Sequence, residues 1–418
     1  MRNSEVAVVG GGPCGSFTAI NLARRGCEVQ VYEEHPEVGV PSHCAGHLSI
    51  KGLNLLGLEP LPSKIVQNVF QEVKFTSPSG RELGIRFSQP VTCAINRSLF
   101  DKHLASVAER HGVTYFLKTK VESLITKNRT VKGIRVRSGK EQEKIATKFV
   151  VDAEGVSCSI LKQAGLSAFD PRTLVKSVQV EVEKAKDLCE DVIEVFLGRK
   201  YAPGFFAWLI PIGDGKAKIG LATKWGDPRE FLHRLLRKHP KLSKRLSKAK
   251  TVKTNFHCIP LGGSIPKPYS DRFLVVGDAA SQVKPTTGGG VIFGMRCGRI
   301  AAEVASDALT KGKFSANHLE IYQKKCNKLF GSEINFMLRF RKLFFDLPDN
   351  HIDRLIHYCR QFGLDDVIRR VQEPDFQRRA LLSNLWHPTL HISLLYLLIL
   401  YLSVKHRNHK YTLHKVTP

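Results

Sequence analysis

The chain has 418 residues, 42% of them hydrophobic, and 64 Lys and Arg stand against 38 Asp and Glu for a net charge of +26. These are globular values, enough for a large core and two or three domains. The positive excess fits either a generally basic protein background or an acidic membrane surface as partner, and no module or aromatic-plus-basic signature points to nucleic acid.

The ten cysteines are scattered without a C-x-x-C pair. Reduced intracellular thiols are therefore expected, with neither a disulfide framework nor a metal site. The N-terminus runs straight into a strand, so no cleavable signal sequence is expected.

Taken in chain order, Val6 to Val9 predicts a buried parallel strand. Gly10-Gly11-Gly12-Pro13-Cys14-Gly15 follows, then an apolar-periodic helix ending near Gly26 and a second strand from Glu28 to Tyr32. In this βαβ unit Gly10 permits a tight turn and Gly12 lets the backbone approach a pyrophosphate. Gly15 lets the helix pack on the strand, and the helix N-terminus faces the negative charge. Glu33, 18 residues past Gly15, can accept hydrogen bonds from ribose hydroxyls. A dinucleotide site is expected, with FAD and NAD both open at this point.

Val38 to Gly46 is a glycine- and proline-punctuated loop that places Cys44 beside His43 near the cofactor; most free cysteines are inert, so the loop alone gives Cys44 no role. Residues 65–91 alternate around Ser77-Pro78-Ser79-Gly80 and predict a hairpin inserted into the first domain. Asn96 caps a helix carrying Arg97 in its first turn. That place is unfavourable for a cation, so the side chain is expected to face either an anion such as the cofactor phosphates or solvent. Val113 to Val136 predicts strand, turn (Lys127 to Thr130) and strand, and Phe149 to Asp152 a buried strand that turns at Ala153-Glu154-Gly155.

From 173 to 260 the stretches 175–182, 191–197, 205–212 and 217–223 alternate, predicting an antiparallel sheet and hence a second domain. Residues 227–249 predict a basic helical segment with a solvated face. The first domain then resumes with a strand ending in Gly277-Asp278-Ala279-Ala280, and Gly288-Gly289-Gly290 opens a long helix at Val291. An aspartate at a strand end offers an acceptor for ribitol hydroxyls, and the glycine backbone offers donors to a pyrophosphate or a flavin carbonyl. A nicotinamide Rossmann domain does not need this distant element, so FAD is favoured.

Residues 315–384 predict amphipathic helices rich in Arg339, Arg341, Lys342, Arg369, Arg370, Arg378 and Arg379. Leu390 to Val404 is mostly apolar and is followed by Lys405, Arg407 and Lys410. As a helix it spans roughly 22 Å, short of a bilayer core, and Pro388 argues against extending it toward Trp386 and His387. An in-plane or shallow anchor at anionic headgroups is expected, the alternative being an ordinary buried terminal helix.

Gly10-Gly12-Gly15 with Glu33, the D-A-E-G turn at Asp152 to Gly155, and G-D-A-A with the triple glycine resemble the flavoprotein group that includes the aromatic-ring hydroxylases. Within it, three features are similar to the geranylgeranyl reductase family. They are Gly39-x-Pro41-x-x-Cys44-x-Gly46, the helix Arg97-x-x-Phe100-Asp101-x-x-Leu104-Ala105, and a P-x-x-Y-x-W-x-F-P motif met here as Pro203, Phe206, Trp208, Ile210 and Pro211. Phe206 replaces the motif tyrosine and Ile210 its phenylalanine, which bears on substrate choice. The resemblance covers about residues 4–345.

It implies an α/β fold: an FAD-binding Rossmann-like domain of aromatic-hydroxylase type (1–172 and 261–312), an inserted antiparallel-sheet substrate domain (173–260) and a helical C-terminal region (313–418). It implies flavin contacts from Gly10, Gly12, Pro13, Cys14, Gly15, Glu33 and Glu34, from Cys44, Ala45, Gly46 and Arg97, from Val121, Asp152 and Gly155, and from Asp278, Gly288, Gly289, Gly290 and Val291. Phe205, Phe206, Trp208 and Pro211 are implied as substrate walls, and Cys44 as the residue that positions or relays a proton at the flavin. The implied activity is hydrogenation of isolated double bonds in geranylgeranyl chains on phospholipids, diphosphates or chlorophyll precursors. A membrane glycerophospholipid at the cytoplasmic face is the expected substrate, with ferredoxin or NAD(P)H as electron donor. F-x-W-x-I-P is also similar to the W-x-W-x-I-P motif of flavin halogenases, whose catalytic lysine has no position here to align. An oxygen-using monooxygenase or halogenase is therefore the alternative. A non-catalytic prenyl-lipid carrier is a further one, against which the retained Glu33, Asp278 and Gly288 to Gly290 speak.

Overall fold

The computed structural model describes residues 2–128, 130–363, 365, 369, 375–383, 386 and 388–413. Arg129 of the expected turn, Arg370 and His387 lie outside them, as do the side chains of Lys405, Arg407 and Lys410. An eight-stranded sheet forms the centre. Five adjoining strands run parallel in the order Phe273–Val275, Glu141–Asp152, Arg2–Val9, Val29–Tyr32 and Thr114–Phe116. Val6 and Val8 point to the face covered by helices Pro13–Ala23 and Val291–Lys311, while Ala7 and Val9 point to the face covered by the antiparallel strands Thr119–Lys127 and Thr130–Ser138. Burial on both faces is why this strand reads as an unbroken apolar run.

A second sheet has seven strands, in the order Lys250–Pro260, Leu174–Glu183, Ala217–Thr223, Phe206–Pro211, Val192–Leu197, Glu72–Thr76 and Glu82–Arg86. The hairpin 65–91, expected as an insertion in the first domain, supplies its far edge. Glu72–Thr76 pairs parallel with Val192–Leu197, so an otherwise antiparallel sheet borrows a strand pair from far upstream in the chain. One face, with Phe196, Leu209, Ile219 and Leu221, packs on Leu232 and Leu235 of the basic helix Pro228–Lys238. The basic segment is not wholly solvated: Arg245 is half-buried and grips Glu194 through its two terminal nitrogens, at 2.7 and 2.9 Å. The edge strand Lys250–Pro260 was not predicted, because most of its side chains face solvent and it carries little alternation.

The other face carries Ile193, Val195, Leu197 and Ile210. It is roofed by helices Ser332–Phe344, Asp349–Gln361 and Pro388–Leu413, with Tyr358 packed edge-on to Tyr396 at 4.4 Å. The last helix starts at Pro388, whose missing N–H costs nothing in the first turn, and runs well past the expected 404. Leu390, Leu397 and Leu400 are buried, whereas Ile392, Leu395, Leu398, Ile399 and Leu402 are 43–58% exposed on the opposite side. It is therefore both a packed terminal helix and an exposed apolar surface. Among the described residues no helix is long and apolar enough to cross a membrane.

Candidate active site

The loop after Arg2–Val9 turns at Gly10 with φ +94°, where a Cβ would stand 2.6 Å from the Ala153 carbonyl oxygen. The nucleotide loop and the D-A-E-G turn thus touch backbone to backbone. A Cβ on Gly12 would meet nothing within 4 Å, so the space at the N-terminus of helix Pro13–Ala23 is open for a pyrophosphate. Glu33 accepts from the Gly11 N–H at 2.7 Å and the His35 N–H at 3.0 Å, which fixes its carboxylate at the end of the second strand. Pro13, Cys14, Gly15, Glu34, Val121 and Gly155 line the same cleft. Burial, with Asp278 adding to it, pushes the Cys14 thiol far up, so it is a protonated wall. Asp152 is not at the cleft surface. It is wholly buried, Oδ1 accepts from the Glu154 N–H at 3.0 Å, and burial holds the carboxyl well above the usual range. Its neighbours Ala153 and Glu154 line the cleft in its place.

Asp278, Gly288, Gly289, Gly290 and Val291 form the facing wall. A Cβ on Gly290 would stand 2.8 Å from Asp278 Oδ1, so the aspartate and the helix start are in contact. His257 Nε2 lies 3.7 Å from Asp278 Oδ2, and the His257 ring stacks on His43 with centroids 5.9 Å apart. Open backbone at a helix N-terminus, a fixed acid at the ribose end and a glycine cradle at the other fit FAD.

The Cys44 loop and the Arg97 helix are one unit. Gly39 (φ +77°) and Gly46 (φ +72°) press against Asp101 and Ser98 and against Ile95 and Arg97 respectively, approaches that a Cβ would block. The Ser98 hydroxyl donates to the Gly39 carbonyl at 2.8 Å. Arg97 is held in a two-pronged pair with Asp101, at 3.1 and 2.9 Å, and Cys44 lies close enough to act on its charge. Burial opposes its charge, but Asp101 and Cys44 outweigh that and hold the guanidinium above its ordinary value. Burial lifts the Asp101 carboxyl although Arg97 pulls it down. Arg97 therefore answers to Asp101 and Cys44, while its flank lines the cleft. The Gly46 N–H donates to Cys44 Sγ at 3.4 Å.

From Cys44 and Ala45 the cleft continues into an apolar arm, the whole forming one cavity of about 990 Å³. Phe205, Phe206 and Trp208 stand where the two meet. Phe205 stacks on Phe206 at 4.2 Å, Phe206 meets Trp208 edge-on at 6.1 Å, and the Trp208 indole N–H donates to Gln179 at 3.0 Å. Gly220 makes the seat for that indole: a Cβ there would lie 2.6 Å from the ring. Farther in, Ile193, Val195, Phe340, Phe344, Leu355 and Ile356 line the arm, and Leu390 and Leu397 of the last helix close it. Gly46 and Pro211 do not line the cavity. Gly46 shapes the loop, and Pro211 ends its strand with its carbonyl accepting from Asn68 at 3.2 Å.

A family model described as FAD binding domain matches residues 3–330. The chain is 30% identical to digeranylgeranylglycerophospholipid reductase 2 of Methanopyrus kandleri over 374 residues, 88% of this chain and 92% of that one. The chain belongs to the geranylgeranyl reductase family of FAD-dependent oxidoreductases. Its fold is similar to that of a geranylgeranyl bacteriochlorophyll reductase-like protein from Thermoplasma acidophilum, with a TM-score of 0.84 at 24% identity, over 95% of this chain and 100% of that one. It is less similar to a flavin-dependent brominase, with a TM-score of 0.71 at 19% identity, over 98% and 100% of the two chains. At these identities the two structures show the fold alone.

Three features of the reductase site were missed in sequence. Lys218 is 3% exposed, and its ammonium donates to Gln67 Oε1 at 2.7 Å and to the carbonyls of Ala45 and Ile95 at 3.0 and 3.1 Å. Burial pushes it down to about 8. Its signal was a lone charge in Ala217–Thr223, a strand buried at every position. His257 was hidden because its edge strand was. Lys284 pairs with Asp375 at 2.5 Å, and His47 lines the same cavity with its ring exposed to it, where the surrounding protein pushes its imidazole down to about 4. The position of Lys284 before Pro285-Thr286-Thr287-Gly288 was the available hint.

Proposed function

We propose that this geranylgeranyl reductase saturates isolated double bonds in chains carried by a membrane glycerophospholipid, as in the synthesis of isoprenoid ether lipids, while docked on an anionic bilayer at the cytoplasmic face. The observation that carries the reading is the two-sided last helix. Its inner face closes the apolar arm of the cavity, and its outer face presents Ile392, Leu395, Leu398, Ile399 and Leu402 to the outside. With its outer face on a bilayer, that helix would stand between the lipid and the arm of the cavity. The relative from Methanopyrus kandleri is named for the same substrate class, a digeranylgeranylglycerophospholipid.

Bound FAD in its reduced form supplies the hydride. An isolated alkene has no carbonyl to hold the electron pair, so a proton must reach the second carbon in the same event. Cys44 is the donor we assign, standing where the flavin cleft opens into the apolar arm. Phe206 and Trp208, with Phe205 stacked against Phe206, wall the alkene there and exclude water, and the half-buried Phe206 and Trp208 rings are the ones that can meet its developing positive charge. Electrons come from a carrier such as ferredoxin or from NAD(P)H.

The halogenase reading shares the fold and part of the F-x-W-x-I-P motif. Lys218, the lysine bonded to the Cys44 loop, has its three N–H groups turned to protein acceptors and does not line the cavity. The test is a choice of substrate: geranylgeranylated phospholipid in vesicles against geranylgeranyl diphosphate in solution, each with reduced enzyme. Faster turnover of the vesicle lipid is expected; preference for the soluble diphosphate would remove the membrane substrate.

A further inference from the structure

We propose that Lys218 is a positioning residue for Cys44, tying down the loop that carries it and supplying the uncompensated positive charge that lets the sulfur release a proton and persist as a thiolate. The inference rests on the reading of Cys44 as proton donor.

The geometry has two parts. Lys218 comes from the substrate sheet, yet two of its three bonds go to the backbone on either side of the Cys44 unit. The Ala45 carbonyl directly follows the cysteine, and Ile95 ends the strand that precedes the Arg97 helix. The Ile95 N–H in turn donates to the Gly46 carbonyl at 2.8 Å. One ammonium thus fixes the loop to the strand beneath it and joins both to the second domain.

The second part is charge. Arg97 lies near Cys44, but its charge is matched by Asp101 in the two-pronged pair. Lys218 bonds only uncharged acceptors. Glu181 lies opposite Lys218 in one strand pair and opposite Lys253 in the next, so that carboxylate is shared between two lysines. His43 stays neutral, since burial and then His257 lower its imidazole, and Asp278 is turned to His257; the charge near Cys44 that no carboxylate holds to itself is that of Lys218. A thiolate at Cys44 matches it. When the proton leaves, the S–H bond breaks as a C–H bond forms on the substrate, the sulfur keeps the electron pair, and a proton from water restores the thiol. Lys218 does not line the cavity, so it acts through Cys44 and touches neither substrate nor cofactor.

Two measurements test this, both on the full-length, FAD-loaded protein. In the first, Cys44 of the unmodified protein is alkylated with iodoacetate and with iodoacetamide, and the labelled peptide is quantified by mass spectrometry. The anionic reagent should gain about tenfold over the neutral one relative to a neutral cysteine peptide, the size of one unmatched charge nearby. Equal ratios overturn the proposal without any variant having to fold. In the second, Lys218→Gln keeps hydrogen-bond donors without the charge, and Lys218→Arg keeps the charge. Lys218→Gln should lose the iodoacetate preference and slow Cys44 alkylation at pH 7 about tenfold, whereas Lys218→Arg retains both. A flavin-loaded Lys218→Gln protein with unchanged alkylation refutes the charge role. Neither readout uses lipid turnover, so a failure of the reductase assay is a failure of the substrate reading and leaves this one standing on its own result.

Discussion

Replacing Leu395 and Ile399 together by aspartate should release the protein from membranes while leaving its fold intact. Both belong to the outer face of the last helix and are 58% and 52% exposed. Full burial of such a side chain is worth about 1.5–3 kcal/mol, so burying the exposed half in lipid yields about 1 kcal/mol each. Losing both removes about 2 kcal/mol, or roughly 30-fold in partitioning. Repulsion between the new carboxylates and anionic headgroups adds to that figure. The assay is flotation with vesicles of anionic phospholipid over a lipid titration, with bound flavin and the thermal midpoint as controls for the fold. A double variant that floats as well as the parent would refute the membrane role of this face. The contrasting variant Leu397→Asp places a charge on the buried face, against the cavity arm, and should lower the thermal midpoint instead.

Further perturbations address the site. Cys44→Ala should retain FAD and lower turnover by about 100-fold or more, the usual contribution of a positioned acid; unchanged alkene reduction would remove Cys44 from the chemistry. Asp101→Asn leaves Arg97 buried without its carboxylate and should destabilise the protein by about 3–5 kcal/mol, read as a shift in the denaturant midpoint. Gly220→Val drives a side chain into the Trp208 indole and the Val178 carbonyl; it should cost about 1–3 kcal/mol and perturb the near-ultraviolet signal of the tryptophan. The protein around the cavity lowers the His47 imidazole from its ordinary 6.5 to about 4. The unfolded chain therefore binds the extra proton first, and stability is lost as pH falls from 6.5 toward 4. His47→Gln should flatten that part of the thermal-midpoint profile, and an unchanged slope would show that other groups set it.

The cofactor end was legible because its constraints are local. A tight turn at Gly10, open space at Gly12 and an acid closing the second strand all fall within one βαβ unit, and short-range sterics write them into adjacent residues. The pairing of the Gly39-to-Gly46 loop with the Arg97 helix could be read only as two separate motifs, since the contact of Gly39 with Ser98 and Asp101 joins residues about sixty positions apart. Arg97 was read as facing either an anion or solvent, and its anion proved to be its own i+4 neighbour. The hairpin at 65–91 was recognised, but its partner was not, because parallel pairing with Val192–Leu197 leaves no mark on turn residues. Lys218 showed in the sequence only as a lone charge in an apolar strand. Its three acceptors come from separate parts of the chain, and only the fold shows that a buried ammonium is satisfied there.

The most direct test of the whole account is a single turnover without oxygen. The FAD-loaded protein is reduced with dithionite, excess reductant is removed, and a geranylgeranylated glycerophospholipid is added in vesicles while the flavin absorbance and the lipid mass are followed. The account predicts that the flavin returns to its yellow oxidised form as the lipid gains about 2 Da per double bond. A flavin that stays reduced beside a lipid of unchanged mass, and is reoxidised only when air is admitted, would contradict it.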